Sequence, residues 1–302
     1  MSTSDENTTT AAARLKMKSD NKFALFILSH GRPDNVYTVR ILRHCGYTGK
    51  IYIIVDDEDK TLDRYRENFK DDVIVFSKKD YEGKFDLMDN FDGNKVIVYA
   101  RNACYDIARE LELDYFFEYE DDYTNIEHKY GKDSQLKAPQ IKNLDALFGF
   151  MITCLDNTGA NTIAFSQGGD FIGGCNSSAF KSCVVKRKAM NSFLFKVNDE
   201  KSKDIVFVGR MNDDVNTYLS QGKIGKLFFQ TKYVCVVQNE TQSMDGGNTE
   251  EYKKYGTYVK SFYSVMIAPS CCKIGMMGVV NKRMHHLISW KNAVPKIIRQ
   301  TI

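Results

Sequence analysis

Short apolar runs of strand length recur through the first 122 residues: FALFILS (23–29), the start of KIYIIVDDED (50–59), VIVF (73–76), KVIVYA (95–100) and DYFFEYE (114–120). Continuous rather than alternating apolarity suits a strand covered on both faces. Between the runs lie stretches of helical spacing, as in RNACYDIARELELDY, where Ala103, Cys104, Ile107, Ala108 and Leu111 share one helix face. Strands alternating with helices predict an α/β fold, a mostly parallel central sheet flanked by helices. Asp34 is the expected cap of the helix through VYTVRILRHCG, and Asn102 that of the helix after KVIVYA. Ligands of such sheets bind at the carboxyl ends of the strands. Those ends carry SHGR (29–32), DDED (56–59) and EDD (120–122).

Beyond residue 122 the pattern is less regular. YTNIEHKYGKDSQLKAP (123–139) is polar and punctuated, which predicts a mobile loop beside the ligand edge. A helix is expected in IKNLDALFGFMITCLDNTG, a strand in KAMNSFLFKV (188–197), and strand, turn and helix in DIVFVGRMNDDVNTYLSQGKIG (204–225). Residues 226–239 give a last apolar run, and 240–302 are rich in aromatic and basic residues. The Ser/Thr/Ala/Lys-rich residues 1–20 bury too little apolar surface to offset ordering and are expected to be a disordered tail. Residues 21–302 show no linker composition and are expected to form a single domain, with a nucleotide-binding half over about 21–125 and an acceptor-side half over about 140–302.

Composition excludes some functions. The net charge of +3 is the near-cancellation of 42 basic and 39 acidic residues, so the global footprint of a dedicated nucleic-acid binder is absent and only a local basic face is left open. No apolar run approaches the roughly 18 residues of a membrane span, and MSTSDENTTTAAARLKMKSD is too polar for a secretory signal. The eight cysteines have no metal-finger spacing, which fits a reducing, cytoplasmic location.

The sharpest chemical signal is FFEYEDDY (116–123), with four carboxylates behind an aromatic strand. Like charges this close raise one another's pKa unless a cation or hydrogen-bond donors offset the repulsion. Strand alternation places Glu118, Glu120 and Asp122 on one face and Asp121 on the other. Acid-x-acid at a strand end suits Mn²⁺ or Mg²⁺, which take one or two carboxylates plus substrate phosphates. A solvated acidic turn is the alternative.

The ordered set, an apolar strand ending in SHGR, a second ending in DD, a helix begun at ARN and an aromatic strand ending in EDD, resembles the GT-A nucleotide-sugar glycosyltransferases. The resemblance implies that Ser29 and Arg32 face a nucleotide, that Asp56 or Asp57 meets its base or ribose, and that Arg101 and Asp121 also belong to the nucleotide site. It assigns Glu120 and Asp122 to the metal-diphosphate, Glu120 departing from the usual Asp. It further implies that NDDVN (212–216) supplies a general base, Asp214 or Asp213. Activating an alcohol in this way is worth typically about 10²–10⁴-fold; either acid equally serves as a helix N-cap. His285 or His286 is the implied additional metal ligand, with a structural role as the alternative. Gln167, Gly168 and Gly169 allow close approach of a sugar or serve plain turn chemistry.

More narrowly, SHGRP, YARN, EYEDDY, SQGG, GRMNDDVN, GTYVKSFYSVM and HHLISW are together similar to the TET-associated glycosyltransferases of phages and related genomes, over about residues 22–300. That resemblance implies transfer from a nucleotide-sugar, taken as a UDP-sugar, to hydroxymethylated pyrimidines such as 5-hydroxymethylcytosine in DNA, by an inverting displacement. Three other readings stay open here, one of them transfer by the same enzyme type to a glycan or protein acceptor. A sugar nucleotidyltransferase shares the sheet and acidic site, although HGRP is a poor version of its Gly-rich first loop; a non-catalytic module on the same scaffold would not need intact acidic motifs.

Overall fold

The computed structural model describes residues 22–177, 180, 189–198, 200–239, 249–256, 258–277 and 282–293, so the expectation for the 1–20 tail lies outside the described residues. The chain runs through β1 (Phe23–Leu28), α1 (Tyr37–His44), β2 (Lys50–Asp56), α2 (Leu62–Phe69) and β3 (Val73–Phe76). A long connection leads to α3 (Val98–Glu110), β4 (Tyr115–Glu120), β5 (Tyr123–His128), a hairpin of β6 (Tyr130–Lys132) and β7 (Gln135–Lys137), and α4 (Leu144–Thr158). Then follow β8 (Thr162–Gln167), β9 (Phe193–Lys196), α5 (Asp213–Lys223), β10 (Phe228–Gln238), α6 (Thr249–Tyr255), α7 (Lys260–Ile267), β11 (Cys272–Met277), β12 (Arg283–Ile288) and the short α8 (Trp290–Ala293).

The central sheet has eight strands in the order β3-β2-β1-β4-β9-β8-β10-β5. β3, β2, β1 and β4 are mutually parallel. β9 is antiparallel to both β4 and β8, so β8 and the parallel β10 run in the direction of the first four. β5 closes the far edge antiparallel to β10. The α/β expectation with a mostly parallel sheet is borne out.

Alternation along β1 explains why the runs are apolar throughout. Ala24, Phe26 and Leu28 join a core with α3 and α5, while Leu25 and Ile27 join a second core with α1 and α4 on the opposite face. Each fully buried side chain of this kind contributes about 1.5–3 kcal/mol. Phe116 on β4 anchors the first core, its ring 5.0–5.3 Å from those of Phe26, Tyr105 and Phe195.

Five local expectations are corrected. KVIVYA is not a strand: Val98, Tyr99 and Ala100 are the first turn of α3, because their apolar side chains are spent on the core from a helix. A short apolar run does not distinguish the two by pattern alone. Asn102 is therefore no N-cap but sits in the second turn, and Asp34 is not one either, since α1 begins at Tyr37 and Asp34 accepts from Arg64 Nε and Asn68 Nδ2, each at 3.0 Å. IVFVG (205–209) forms no strand. Asn102 holds its backbone instead, Oδ1 accepting from Phe207 N at 2.9 Å and Nδ2 donating to Phe207 O at 3.0 Å. The polar segment 123–139 is not a loop throughout: Tyr123 and Ile126 are buried, which recruits β5 as an edge strand. Among the described residues no cysteine is disulfide-bonded, and no helix is long and apolar enough to cross a membrane.

Gly46, at φ +85°, ends α1 against the start of α4, where a Cβ would overlap the Lys142 carbonyl oxygen. Gly46→Ala is expected to cost about 2 kcal/mol or more, the combined penalty of a left-handed backbone and a steric clash. A chemical-denaturation midpoint unchanged from the parent would contradict this packing.

Candidate active site

The pleat of β4 distributes the carboxylates of FFEYEDD. Glu118 and Glu120 point toward α3, as Phe116 does, whereas Asp121 turns to the opposite side, toward β1 and α1. The positive charge that the motif calls for is supplied twice over, by Arg101 on one side and Arg32 on the other.

Arg101 lies in the first turn of α3 and is 1% exposed. Its Nη2 donates to Glu120 Oε1 at 2.6 Å, its Nη1 to Glu118 Oε2 at 3.4 Å, and its Nε to Asp213 Oδ2 at 2.7 Å. Phe193 and Phe207 lie against the guanidinium, each ring centroid 5.4 Å from Cζ. The residue thus ties the end of β4 to the start of α5, itself reaching Asp213 across 112 positions of sequence. In this structure the guanidinium is committed to three carboxylates and closed from solvent. Burial pushes the Glu118 carboxyl up to about 8, with Arg101 pulling the other way. Glu120 and Asp213 are also raised by burial, against the same cation. One guanidinium among three carboxylates, Glu118 and Asp213 buried and Glu120 half-buried, leaves the cluster short of positive charge.

On the opposite side, Asp121 Oδ2 accepts from Ser29 Oγ at 2.6 Å and Oδ1 from Arg32 Nη1 at 2.9 Å. Tyr65 from α2 completes this group, its hydroxyl 2.6 Å from Ser29 Oγ and accepting from Arg32 N at 2.9 Å. Thr38 of α1 fixes the turn itself, Oγ1 donating to Glu120 O at 2.6 Å and accepting from Tyr123 N at 3.0 Å. Asp122 stands between the two arginine groups. Among the described residues its Oδ1 is buried without a hydrogen-bond partner, as is Arg32 Nε. Burial raises the Asp122 pKa, the neighbouring Asp121 raises it further, and Arg32 opposes both.

The NDDVN segment is held by its two asparagines. Asn212 has a left-handed backbone, φ 63° and ψ 33°, a conformation asparagine tolerates better than most residues. Its Nδ2 donates to Ser264 Oγ of α7 at 2.7 Å, and Ser264 Oγ donates to Asn216 Oδ1 at 2.9 Å. Asp213 is bound by Arg101, whereas among the described residues Asp214 Oδ1 accepts from its neighbour Val215 N at 2.7 Å. Of the two histidines, His286 is buried with Nδ1 3.4 Å from Asn212 Nδ2; His285 is half-buried, its ring 4.1 Å from that of His286. Gln167 is tied to the turn after β8, where its N donates to Asp170 Oδ2 at 3.0 Å. A Cβ on Gly168 or Gly169 would meet nothing within 4 Å and neither φ is positive, so the backbone there does not itself require glycine.

At the end of β2, Asp56 Oδ2 accepts from His30 Nδ1 at 2.6 Å and Oδ1 pairs with Lys78 Nζ at 2.8 Å. Burial alone would raise this carboxyl, but His30 and Lys78 hold it down to about 2. Asp57 is exposed and accepts from Lys78 N at 3.1 Å.

Several participants escaped the sequence reading. Lys78 and Tyr65 carry no motif of their own. Ser264 lies in GTYVKSFYSVM, a segment noted only as a whole. Arg210 sits in GRMNDDVN, is 1% exposed, and clamps the connection before α3 through Asp89 at 2.8 Å and the carbonyls of Phe91 and Gly93 at 2.8 and 2.6 Å. Tyr252 of α6 has its hydroxyl pKa raised by burial and then by Asp213, Asp214 and Glu120, which puts it within electrostatic reach of the cluster.

Replacing Arg101 by Met strands two buried carboxylates and the half-buried Glu120, an expected loss of about 3–5 kcal/mol. Adding Glu118→Gln to that background removes one of them and should restore part of the urea stability; a strictly additive second loss would exclude the coupling. Asp56 gives a pH prediction. Its folded pKa lies below the unfolded value, so its stabilisation is complete above about pH 4 and is lost as pH falls toward 2. Asp56→Asn should remove roughly 2 kcal/mol of that acid dependence, read from urea midpoints across the interval.

Comparison with curated protein sequences gives no match. Among solved structures, glucosyl-3-phosphoglycerate synthase from Mycobacterium tuberculosis in complex with Mg²⁺ and UDP is 8% identical, with a TM-score of 0.46 over 91% of this chain and 91% of that one. A complex of the same enzyme with Mn²⁺, UDP and phosphoglyceric acid is 9% identical, with a TM-score of 0.46 over 91% and 89%. S. aureus TarS is 11% identical, with a TM-score of 0.38 over 81% of this chain and 65% of that one. These are distant likenesses. The profile of the TET-associated glycosyltransferases matches residues 23–247, from the first residue of β1 through both carboxylate groups, but stops before GTYVKSFYSVM and HHLISW. Since that match covers most of the sequence, the chain belongs to the TET-associated glycosyltransferase family.

Proposed function

We propose that the protein transfers a sugar from a UDP-sugar, with Mn²⁺ or Mg²⁺, to the hydroxyl of a 5-hydroxymethylpyrimidine in DNA, with inversion at the sugar carbon. The carrying observation is a pair of opposite orphans around Asp121: a buried acceptor, Asp122 Oδ1, that receives no hydrogen bond, and a buried donor, Arg32 Nε, that gives none. Such groups are costly to leave unmatched. A diphosphate accompanied by a cation matches both at once, anion to Arg32 and cation to Asp122.

A hard divalent cation fits this corner. Among the described residues no three His, Cys, Asp or Glu side chains form a complete metal cage. The fit is therefore that of an ion held by Asp122, with Glu120 and His286 as further candidates, and completed by substrate phosphates. When bound, the cation supplies Lewis-acid stabilisation of the charge on the departing diphosphate. His285, less deeply buried and with its ring against that of His286, is the weaker candidate of the two histidines.

The chain's own groups do the rest. Ser29, Arg32 and Asp121 orient the nucleotide at the end of β1, with Asp56 and Asp57 beyond them toward base and ribose. Asp214 is the general base. Its Oδ1 is occupied by Val215 N, so Oδ2 is the oxygen left to take the acceptor proton. The acceptor oxygen bonds to the anomeric carbon as the bond to the diphosphate breaks, and the proton moves to Asp214; one such displacement inverts the centre. Asp213, held by Arg101, keeps this dyad in register with the end of β4. The choice of acceptor is supported by the family, and the transferase reading is preferred to a nucleotidyltransferase on the same ground.

The test is incubation with UDP-sugars, Mn²⁺ and 5-hydroxymethylcytosine DNA, following UDP and labelled DNA. Asp214→Asn should lower kcat by about 10²–10⁴-fold while leaving UDP affinity intact, and Asp122→Asn should abolish Mn²⁺-dependent UDP binding. Release of pyrophosphate from UTP and a sugar phosphate would favour the nucleotidyltransferase, and a retained anomer would remove Asp214 from its role.

A further inference from the structure

From Tyr252 to the last residue the sequence contains nine lysines and arginines, Lys253, Lys254, Lys260, Lys273, Lys282, Arg283, Lys291, Lys296 and Arg299, and no aspartate or glutamate. With a whole-chain charge of only +3, the remainder is net acidic. The near-neutral total therefore conceals a strong asymmetry, of the kind that accompanies binding to polyanions.

The described part of this segment has a defined shape and place. β11 and β12 pair antiparallel, with Lys273 opposite Leu287, Gly275 opposite His285, and Met277 opposite Arg283. These residues share one face, and Lys273, Met277, Arg283 and Leu287 on it are exposed, as are Lys282 just before β12 and Lys291 just after it. The other face carries His286, 3.4 Å from Asn212, and packs with α7, whose Ser264 bridges Asn212 and Asn216. Trp290 packs edge-on against Tyr218 of α5, the rings 5.7 Å apart. The acid-free hairpin is thus fixed to the helix whose first residues are Asp213 and Asp214, and it lies beyond the residues that the family profile covers.

We propose that the exposed face of β11–β12 is a landing surface for the phosphate backbone of the acceptor nucleic acid, which it holds beside Asp214. The proposal rests on the acceptor reading above and adds where that acceptor docks. Lys273 and Arg283 sit four residues apart along the hairpin, about 13 Å at strand rise, which spans roughly four phosphates of one strand measured along a duplex axis. A lipid surface would also present anionic charge. The occupant of this face, however, must also bring a hydroxyl to a base on the adjoining helix, and a nucleic acid carries both.

The experiment measures binding of the full chain to a fluorescent duplex containing 5-hydroxymethylcytosine, by anisotropy across a salt series. The variant K273Q/K282Q/R283Q is compared with K22Q/K50Q/K203Q, a control of equal charge change at exposed lysines remote from β11–β12, and melting curves confirm the fold of both. The hairpin variant should lower the slope of log affinity against log salt by roughly 2.7, about 0.9 per lost phosphate contact, and the control should leave it unchanged. If the triple variant does not fold, K273Q and R283Q singly should each lower the slope by about 0.9.

An unchanged slope in the hairpin variants overturns the proposal. So does binding of the parent to phosphatidylserine vesicles, lost in the hairpin variant, while DNA binding is not. Sugar transfer by the parent to the same duplex is scored separately: transfer with an unaffected slope removes the surface alone. The absence of both sugar transfer to DNA and DNA binding removes the acceptor reading and the surface together.

Discussion

The Arg101 guanidinium is the interaction on which the architecture of the site depends. A buried arginine is acceptable only when its donors are met and its charge balanced. Here that requirement draws Glu118 and Glu120 from a sheet strand and Asp213 from a helix start into one cluster. The cost of burying these charges is offset only when all are present, so the two acidic motifs cannot take independent positions. An ion cluster of this kind adds little net stability compared with apolar packing, but it fixes geometry. It places Asp214, the neighbour of its own ligand Asp213, at a set distance from the end of β4.

Two arginines divide the labour that the EDD turn demands. Arg101 satisfies the α3 side and is sealed from solvent, while Arg32 serves the β1 side and keeps one donor unspent. Between them Asp122 keeps an acceptor unspent. Protein-supplied cations thus compensate most of the acidic cluster yet stop short of neutralising it, and the residual imbalance is concentrated where a phosphate-bound ion would be received. Asp56 shows the contrast: with His30 and Lys78 both in contact, its charge is fully met inside the protein.

Much of this was legible in the sequence because it follows from the two-residue period of a strand. Alternation alone separates Glu118 and Glu120 from Asp121, and the apolar runs fix the parallel half of the sheet. The errors occur where periodicity is silent. VIVYA packs as well in a helix turn as in a strand, and IVFVG meets its backbone needs through side chains rather than a ladder. YTNIEH reads as polar because an edge strand shows one face to water. Arg101 was singled out, but as a ligand contact; its burial depends on Phe193 and Phe207, which approach from 92 and 106 residues away and leave no local trace. Lys78, Tyr65 and Ser264 were missed because each gains its role only from a partner distant in sequence.

The side chain of Asn102 stands in for a strand neighbour, meeting both the amide and the carbonyl of Phe207. Aspartate at that position, the product of hydrolytic ageing, retains an oxygen for the amide but brings no hydrogen for the carbonyl, and it sets a new negative charge one residue from Arg101. A single lost nitrogen would therefore loosen the tether leading to Asp213 while leaving every sheet hydrogen bond in place.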